Sequence, residues 1–168
     1  MSDKHKIRKG NVQVKNIIMK MSTRNAARIL LSNPSEVGDY AVFRKTCPKQ
    51  AGPYRVYLCL KDRRKNKHFI CGYFDTTSVR EMTAEEMYQS GLAGNAPLQS
   101  IMEYTQGKNV FAWVPEKTVK LNKPVLLKNP PLNWQYVPVN NQKVQSLQGE
   151  TSGKNERSEA NSANESDS

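Results

Sequence analysis

Short apolar blocks separated by polar, Pro- and Gly-bearing stretches run along this chain, and the period within each block decides what it predicts. Residues 15–21, KNIIMKM, are short and rich in β-formers, which predicts a strand. Ser22-Thr23 behind them is a good helix N-cap for TRNAARILLS, whose alanines and leucines suit a helix. Asn33-Pro34 ends that helix, because the proline ring disfavours the helical region in the residue before it and supplies no amide to the ladder. Gly38 then opens a segment containing VFRKT, Val42 to Thr46, which Cys47 and Pro48 close.

Two stronger strand candidates follow, YRVYLCLK from Tyr54 to Lys61 and HFICGYFD from His68 to Asp75. DRRKNK joins them, so a hairpin is the simplest connection. Gly72 inside the second marks a bulge or a close backbone approach. TAEEMYQS, Thr83 to Ser90, opens on a capping box of Thr83 with Glu86 and predicts a short helix. APLQSIMEYTQGK predicts another, with Pro97 tolerated in a first turn and Gly107 at the C-terminal stop. NVFAWVP and TVKLNKPVLL read as strands, and PPLNWQYVPV, Pro130 to Val139, as a closing edge strand, since proline is tolerated at strand starts and edges. Strand, helix, strands, two helices, strands is neither the alternation of a doubly wound sheet nor a helical bundle. It predicts an α+β chain, a small mostly-β barrel with short helices packed on it.

Composition changes that picture at the two ends. With 168 residues, 37% of them hydrophobic, the chain has room for one domain with a real core. Residues 1–14 carry cations without a sustained apolar period and predict a basic flexible leader. Residues 140–168 hold no aromatic side chain and predict a disordered polar tail, unable to bury enough apolar surface to fold. The domain is therefore expected over 15–139. The net charge of +11 is unevenly placed: residues 1–139 hold 23 Lys and Arg against 10 Asp and Glu, whereas 140–168 hold 3 against 5. The part expected to fold is the basic part, and such an excess attracts polyanions. No run approaches the length of a membrane-spanning helix, and the N-terminus lacks the apolar core of a secretory signal, so a cytoplasmic protein with no membrane partner is expected. Three cysteines, Cys47, Cys59 and Cys71, with no CxxC spacing, and two histidines, His5 and His68, argue against a disulfide framework and against a metal site; no cofactor is expected.

Several positions carry candidate chemistry. Arg44 and Lys45 follow an apolar pair, and strand alternation would send them to opposite faces, one into a pocket and the other to solvent or a phosphate. Two solvated charges at a strand end are the plainer account, since Lys and Arg are mostly exposed. Lys20, a charge inside the first apolar run, lines the same pocket or snorkels to its rim. Trp134 and Tyr136 share one face of the closing strand by period two and offer rings on which a base can stack, a spacing that two core residues would show equally. Trp113 reads as core. At the hairpin tip, Arg63, Arg64, Lys65 and Lys67 can grip a phosphate backbone, or simply keep an exposed turn soluble.

Taken in order, these segments resemble the ASCH domain family, a branch of the PUA-like barrels. The counterparts are NIIMKM leading into a helix, Val42 to Lys45 as an xFRK element after a Gly-containing turn, and the strand from Tyr54 to Leu60. CGYFD with Gly72 and Phe74, two helices within 83–108, VFAWV with Trp113, and PPLNWQYV from Pro130 to Val137 complete the set. The resemblance spans about residues 15–139 and rests on order and spacing. It implies a PUA-like barrel, and such barrels generally bind RNA or a nucleotide. The side chains suit that: Arg44 can make a two-pronged hydrogen bond to a phosphate or a base edge, and aromatic faces can stack on a base. Some small members of the superfamily are amidohydrolases of an acetylated cytidine that look to a Lys and a Thr just before the Arg. Here those positions are Asp39 and Val42; a carboxylate does not replace an amine and valine has no hydroxyl, so that activity is not carried over. Leu132 and Asn133 also stand where Gln and Ser are usual.

The leading expectation is an RNA- or nucleotide-binding module, regulatory or reading a modified base. A nucleoside hydrolase or ribonuclease on the same barrel would need an acid or base, for which Asp39, Asp75 and Glu103 are the candidates. An adaptor protein of a phage or mobile element would instead turn the basic surface to an acidic protein. The domain boundary is open to test: a chain ending at Val139 should unfold in urea in one cooperative transition, with the midpoint of the full chain. Loss of cooperativity, followed by circular dichroism, would place core residues beyond Val139.

Overall fold

The computed structural model describes residues 13–137. Of the leader expected over 1–14, all but Gln13 and Val14 lies outside them, and the tail expected over 140–168 lies outside them entirely. In order the chain forms β1 (Lys15–Lys20), α1 (Thr23–Leu30), a 3-10 turn (Pro34–Glu36), β2 (Val42–Arg44), β3 (Tyr54–Asp62), β4 (Lys67–Thr76) and β5 (Val79–Met82). Then come α2 (Ala84–Ser90), α3 (Leu98–Thr105), β6 (Val110–Trp113), β7 (Lys117–Leu127) and β8 (Trp134–Tyr136). The strands divide into a five-stranded sheet, β7-β4-β3-β1-β8, and a three-stranded sheet, β2-β6-β5. This is an α+β architecture, mostly strand with short helices packed on it, as the order of apolar blocks predicts.

The local signals act where their chemistry places them. Ser22 caps α1, its hydroxyl accepting from the Asn25 amide at 3.1 Å. Thr83 and Glu86 form the reciprocal capping box of α2, with the Thr83 amide donating to Glu86 at 2.9 Å and the Glu86 amide to Thr83 at 3.1 Å. Proline adjusts two expectations. Pro34 begins the 3-10 turn after α1, and Pro97 stands at the N-cap of α3, one position before its first turn. α3 ends on Gln106 in the left-handed conformation, with Gly107 following it. β5 escapes prediction because VREM is short and half of it exposed, so it carries no alternating apolar signal.

β1 pairs in parallel with β3 and antiparallel with β8, so one side of the five-stranded sheet joins segments from the beginning and the end of the described residues. Alternation sends Ile17 and Met19 of β1, with Tyr54, Val56 and Leu58 of β3 and Phe74 of β4, to the face shared with Val42 and Trp113 of the smaller sheet. α1 contributes Ala26 and Ile29 to the same core. Trp113, expected in the core, is fully buried. A second cluster of Met82, Met87, Ile101, Val110 and Ala112 docks α2 and α3 onto the three-stranded sheet.

Register irregularities interrupt the sheet twice, at Leu58/Cys59 between β3 and β4, and between Ile70 and Gly72 against β7. At the second, Ile70 faces Val125 while Gly72 faces Lys120, so β7 loops out over residues 121–124. Gly72 is needed there because α1 presses on the sheet: a Cβ would stand 2.5 Å from the Val119 carbonyl oxygen and 2.9 Å from the Leu30 methyls. Gly72→Ala should therefore destabilise the fold by about 1–3 kcal/mol. Urea denaturation measures this, and a midpoint equal to that of the parent would show that helix and sheet can separate there without cost.

Candidate functional site

β2 ends at Arg44, so its alternation does not extend to Lys45. Instead of facing away from Arg44, Lys45 lies beyond the strand with its ammonium 4.8 Å from the ring centre of Tyr104 on α3. Arg44 interacts electrostatically with the same phenol. Its guanidinium is half-buried and strung between the sheets: Nη1 donates to the Phe43 carbonyl at 2.8 Å and Nη2 to the Lys20 carbonyl of β1 at 2.7 Å. Nε is buried with no hydrogen-bond partner among the described residues. Desolvation lowers the pKa of this group, and Tyr104 offsets part of that. The Tyr104 hydroxyl donates to the Phe43 carbonyl at 3.1 Å, and burial raises its own pKa.

The loop from Lys45 to Pro53 lies against an aromatic row. Tyr54 stacks obliquely on Trp113 at 5.3 Å between ring centres, Trp113 meets Trp134 edge-on at 5.5 Å, and Trp134 meets Tyr136 edge-on at 5.6 Å. Each polar tip of the outer rings is tied to the loop. Trp134 Nε1 donates to the Thr46 hydroxyl at 2.9 Å, the Tyr136 hydroxyl accepts from the Gln50 amide at 2.9 Å, and the Tyr54 hydroxyl donates to the Gln50 carbonyl. Trp134 and Tyr136 are thus half-buried rings that hold the loop following Arg44.

Lys20 meets this site through its backbone. Its carbonyl holds Arg44, while its side chain follows Ile18 to the other face of β1 and bears electrostatically on Cys59 and His68. There, burial pushes the Cys59 thiol up to about 11, and desolvation, with Lys20 and Lys61 adding to it, lowers the His68 pKa. Arg63, Arg64, Lys65 and Lys67 are exposed at the β3–β4 tip. The turn is shaped by Asp62, whose Oδ1 accepts from the amides of Arg64 at 3.0 Å and Lys65 at 3.4 Å, and by Asn66 at φ 55°.

The three carboxylates proposed for acid or base work stand on separate elements. Asp75 is held bidentately by Arg55 across β3 and β4, at 2.8 and 3.0 Å, and that guanidinium also lies over Tyr73. Glu103 is exposed on α3 beside Gln99, and Asp39 is exposed before β2. Among the described residues, no group of three or more His, Cys, Asp or Glu is placed to hold a metal ion, and no helix is long and apolar enough to cross a membrane. Sequence reasoning missed Tyr104, Thr46 and Gln50, because what brings them to Arg44 and the aromatic row is the docking of α3 and of a loop, which no local period reports.

No family model matches the sequence, and no curated protein is similar to it. Solved structures are. The crystal structure of ASCH from Zymomonas mobilis superposes with a TM-score of 0.62 at 16% identity, over 80% of this chain and 94% of that one. A tyrosine-to-phenylalanine variant of it gives 0.62 at 16%, over 80% and 97%, and a serine-to-alanine variant 0.60 at 15%, over 79% and 96%. The chain has the ASCH fold that its ordered segments resemble.

The aromatic row makes the loop testable. Tyr136→Phe removes the acceptor of the Gln50 amide, a loss of about 0.5–1.5 kcal/mol. Hydrogen exchange at Gln50 should accelerate, by up to about tenfold. Unchanged exchange would mean that the hydroxyl does not hold the loop.

Proposed function

We propose that this ASCH-fold chain is an RNA- or nucleotide-binding module whose ligand meets Arg44. The observation that carries the reading is an uncompensated cation: the Arg44 guanidinium is half-buried, and among the described residues its Nε has no partner and no carboxylate pairs with it, the ion pair there being Arg55 with Asp75. A desolvated cation of this kind is stabilised by an anion, and its planar fork suits a phosphate or the edge of a base. Lys45 adds a second charge beside it, and Tyr104, Trp134 and Tyr136 supply ring faces around the same loop, the combination on which single-stranded RNA is usually held. The exposed tip, Arg63, Arg64, Lys65 and Lys67, supplies sequence-independent contacts to the phosphate backbone in this reading.

The two groups of cations should fail differently. Arg63→Ala with Arg64→Ala should weaken every RNA alike and flatten the salt dependence of binding, by about 0.7 in log-log slope for each phosphate left without its cation. Arg44→Ala should cost about 1–3 kcal/mol for the preferred ligand and much less for others. Binding isotherms at several salt concentrations measure both, with thermal melts to show that each variant is folded. Folded Arg44→Ala that binds every RNA as the parent does would remove Arg44 from the site.

A further inference from the structure

The charges of the five-stranded sheet are divided unequally between its two ends. At one end β1, β3 and β7 finish while β4 and β8 begin, and the register sets the neighbours: Lys20 beside Cys59, Lys61 beside His68, Asp62 beside Lys67, and His68 beside Leu127, the residue before Lys128. Within two residues of the strand termini there, Lys20, Lys61, Lys128 and the four cations of the hairpin tip stand against a single carboxylate, Asp62. Asp62 is turned onto the amides of its own turn. At the opposite end the same span holds Lys15, Arg55 and Lys117 against Asp75 and Glu116. Those carboxylates are engaged, Asp75 by Arg55 and Glu116 by the amide and hydroxyl of Thr77.

All the cations of the first end except half-buried Lys20 are exposed; four of them share the hairpin tip, and with Lys128 on one side and Lys61 and Lys20 on the other they follow the order of the strands as a row. Neighbouring strands lie about 4.8 Å apart, so from β7 to β1 the row covers about 14 Å, wider than one nucleotide. The row adjoins the candidate site through the backbone of β1: the Lys20 carbonyl holds the Arg44 guanidinium at 2.7 Å, while the Lys20 side chain lies on the other face with His68.

We propose that a single strand of nucleic acid crosses this end of the sheet, its phosphates on Lys128, the hairpin tip and Lys61, and delivers one nucleotide to Arg44. This rests on the binding reading above and extends it from a nucleotide to a strand with a path. The strand is single because Arg44 is half-buried and is reached only by a nucleotide splayed out of a stack. Lys61 and Lys128 come into the interface with the tip, although they belong to segments far apart in the sequence.

The test pairs the Lys61→Ala/Lys128→Ala variant with a charge-matched control at the opposite end, Lys15→Ala/Lys117→Ala, in the full chain. The probes are a mononucleotide, eight-residue RNA and DNA strands of one sequence, and a duplex of that length. Each single-strand phosphate deprived of its cation lowers the log-log salt slope by about 0.7, which at 0.1 M salt is about fivefold in affinity. The eight-residue strand should bind tighter than the mononucleotide. The Lys61/Lys128 variant should lose about 25-fold of that affinity and about 1.4 in slope, and keep its mononucleotide binding, while the control stays at the parental level. Binding of either strand through these side chains supports the path, and the ratio of RNA to DNA affinity identifies the sugar. An equal loss in the control would mean that net charge alone attracts the strand, and a duplex bound as tightly would remove the splayed nucleotide; either overturns the proposal. An eight-residue strand bound no tighter than the mononucleotide overturns the path and leaves the nucleotide reading standing. If neither binds, both fall.

Discussion

Trp113 fills the space where the two sheets meet, and the candidate site is assembled around that contact. Its strand pairs with β2 at Val42 on one side and with β5 at Val79 on the other, so the whole three-stranded sheet is indexed to its position. Its ring lies between Tyr54 and Trp134 of the larger sheet. Removing a buried ring of this size typically costs about 3–5 kcal/mol, and here it would also release the registers that depend on it. Arg44 is two residues along the strand that Trp113 pairs, and Trp134, which touches Trp113 edge-on, carries the hydrogen bond to Thr46. The Trp113 indole N–H is buried without a hydrogen-bond partner among the described residues, so shape and ring contact hold the frame.

Electrostatics then divides the molecule into a balanced end and an unbalanced one. Arg55 and Asp75 are each about a quarter exposed, and a pair so placed contributes little to stability, roughly 0–1 kcal/mol. Its effect is to neutralise one cation and one carboxylate at that end of the sheet, where Lys15, Lys117 and Glu116 remain in near balance. At the other end repulsion among the cations opposes folding slightly, and an anion relieves it. Arg44 belongs to this second regime, since its pKa is lowered by burial and no carboxylate among the described residues pairs with it. A ligand that binds only the folded chain would add its binding energy to the stability of both the row and the frame behind it.

What the sequence revealed follows from the range over which each signal acts. Caps are local, so Ser22, Thr83 and Glu86 announced their helices, and the alternating apolar runs at 54–61 and 68–75 announced β3 and β4. The parallel pairing of β1 with β3, the short edge strand β5 and the separation into two sheets are set by contacts between distant segments, on which local periods are silent. The same holds at the site. Arg44 was recognisable as a charge beside an apolar pair, but its anchor on Lys20 spans 24 positions and that of Trp134 on Thr46 spans 88. Lys45 departed from the alternation because its strand stopped one residue earlier, and Lys20 met the site through its carbonyl because alternation turned its side chain away.

The three residues of β8 have a consequence for how the chain is made. β1 lies between β3 and β8, so its second edge has no partner until Trp134–Tyr136 has been synthesised. From the end of β3 to the end of β8 a ribosome at about 5–20 residues per second needs about 4–15 s. Once β3 has left the ribosome it can pair with β1, while the amides and carbonyls on the outer side of KNIIMK stay open to any other nascent strand. The vulnerable state of this fold is therefore the chain that still lacks β8, one short strand from completing its larger sheet, and slow translation over residues 63–133 would lengthen its exposure.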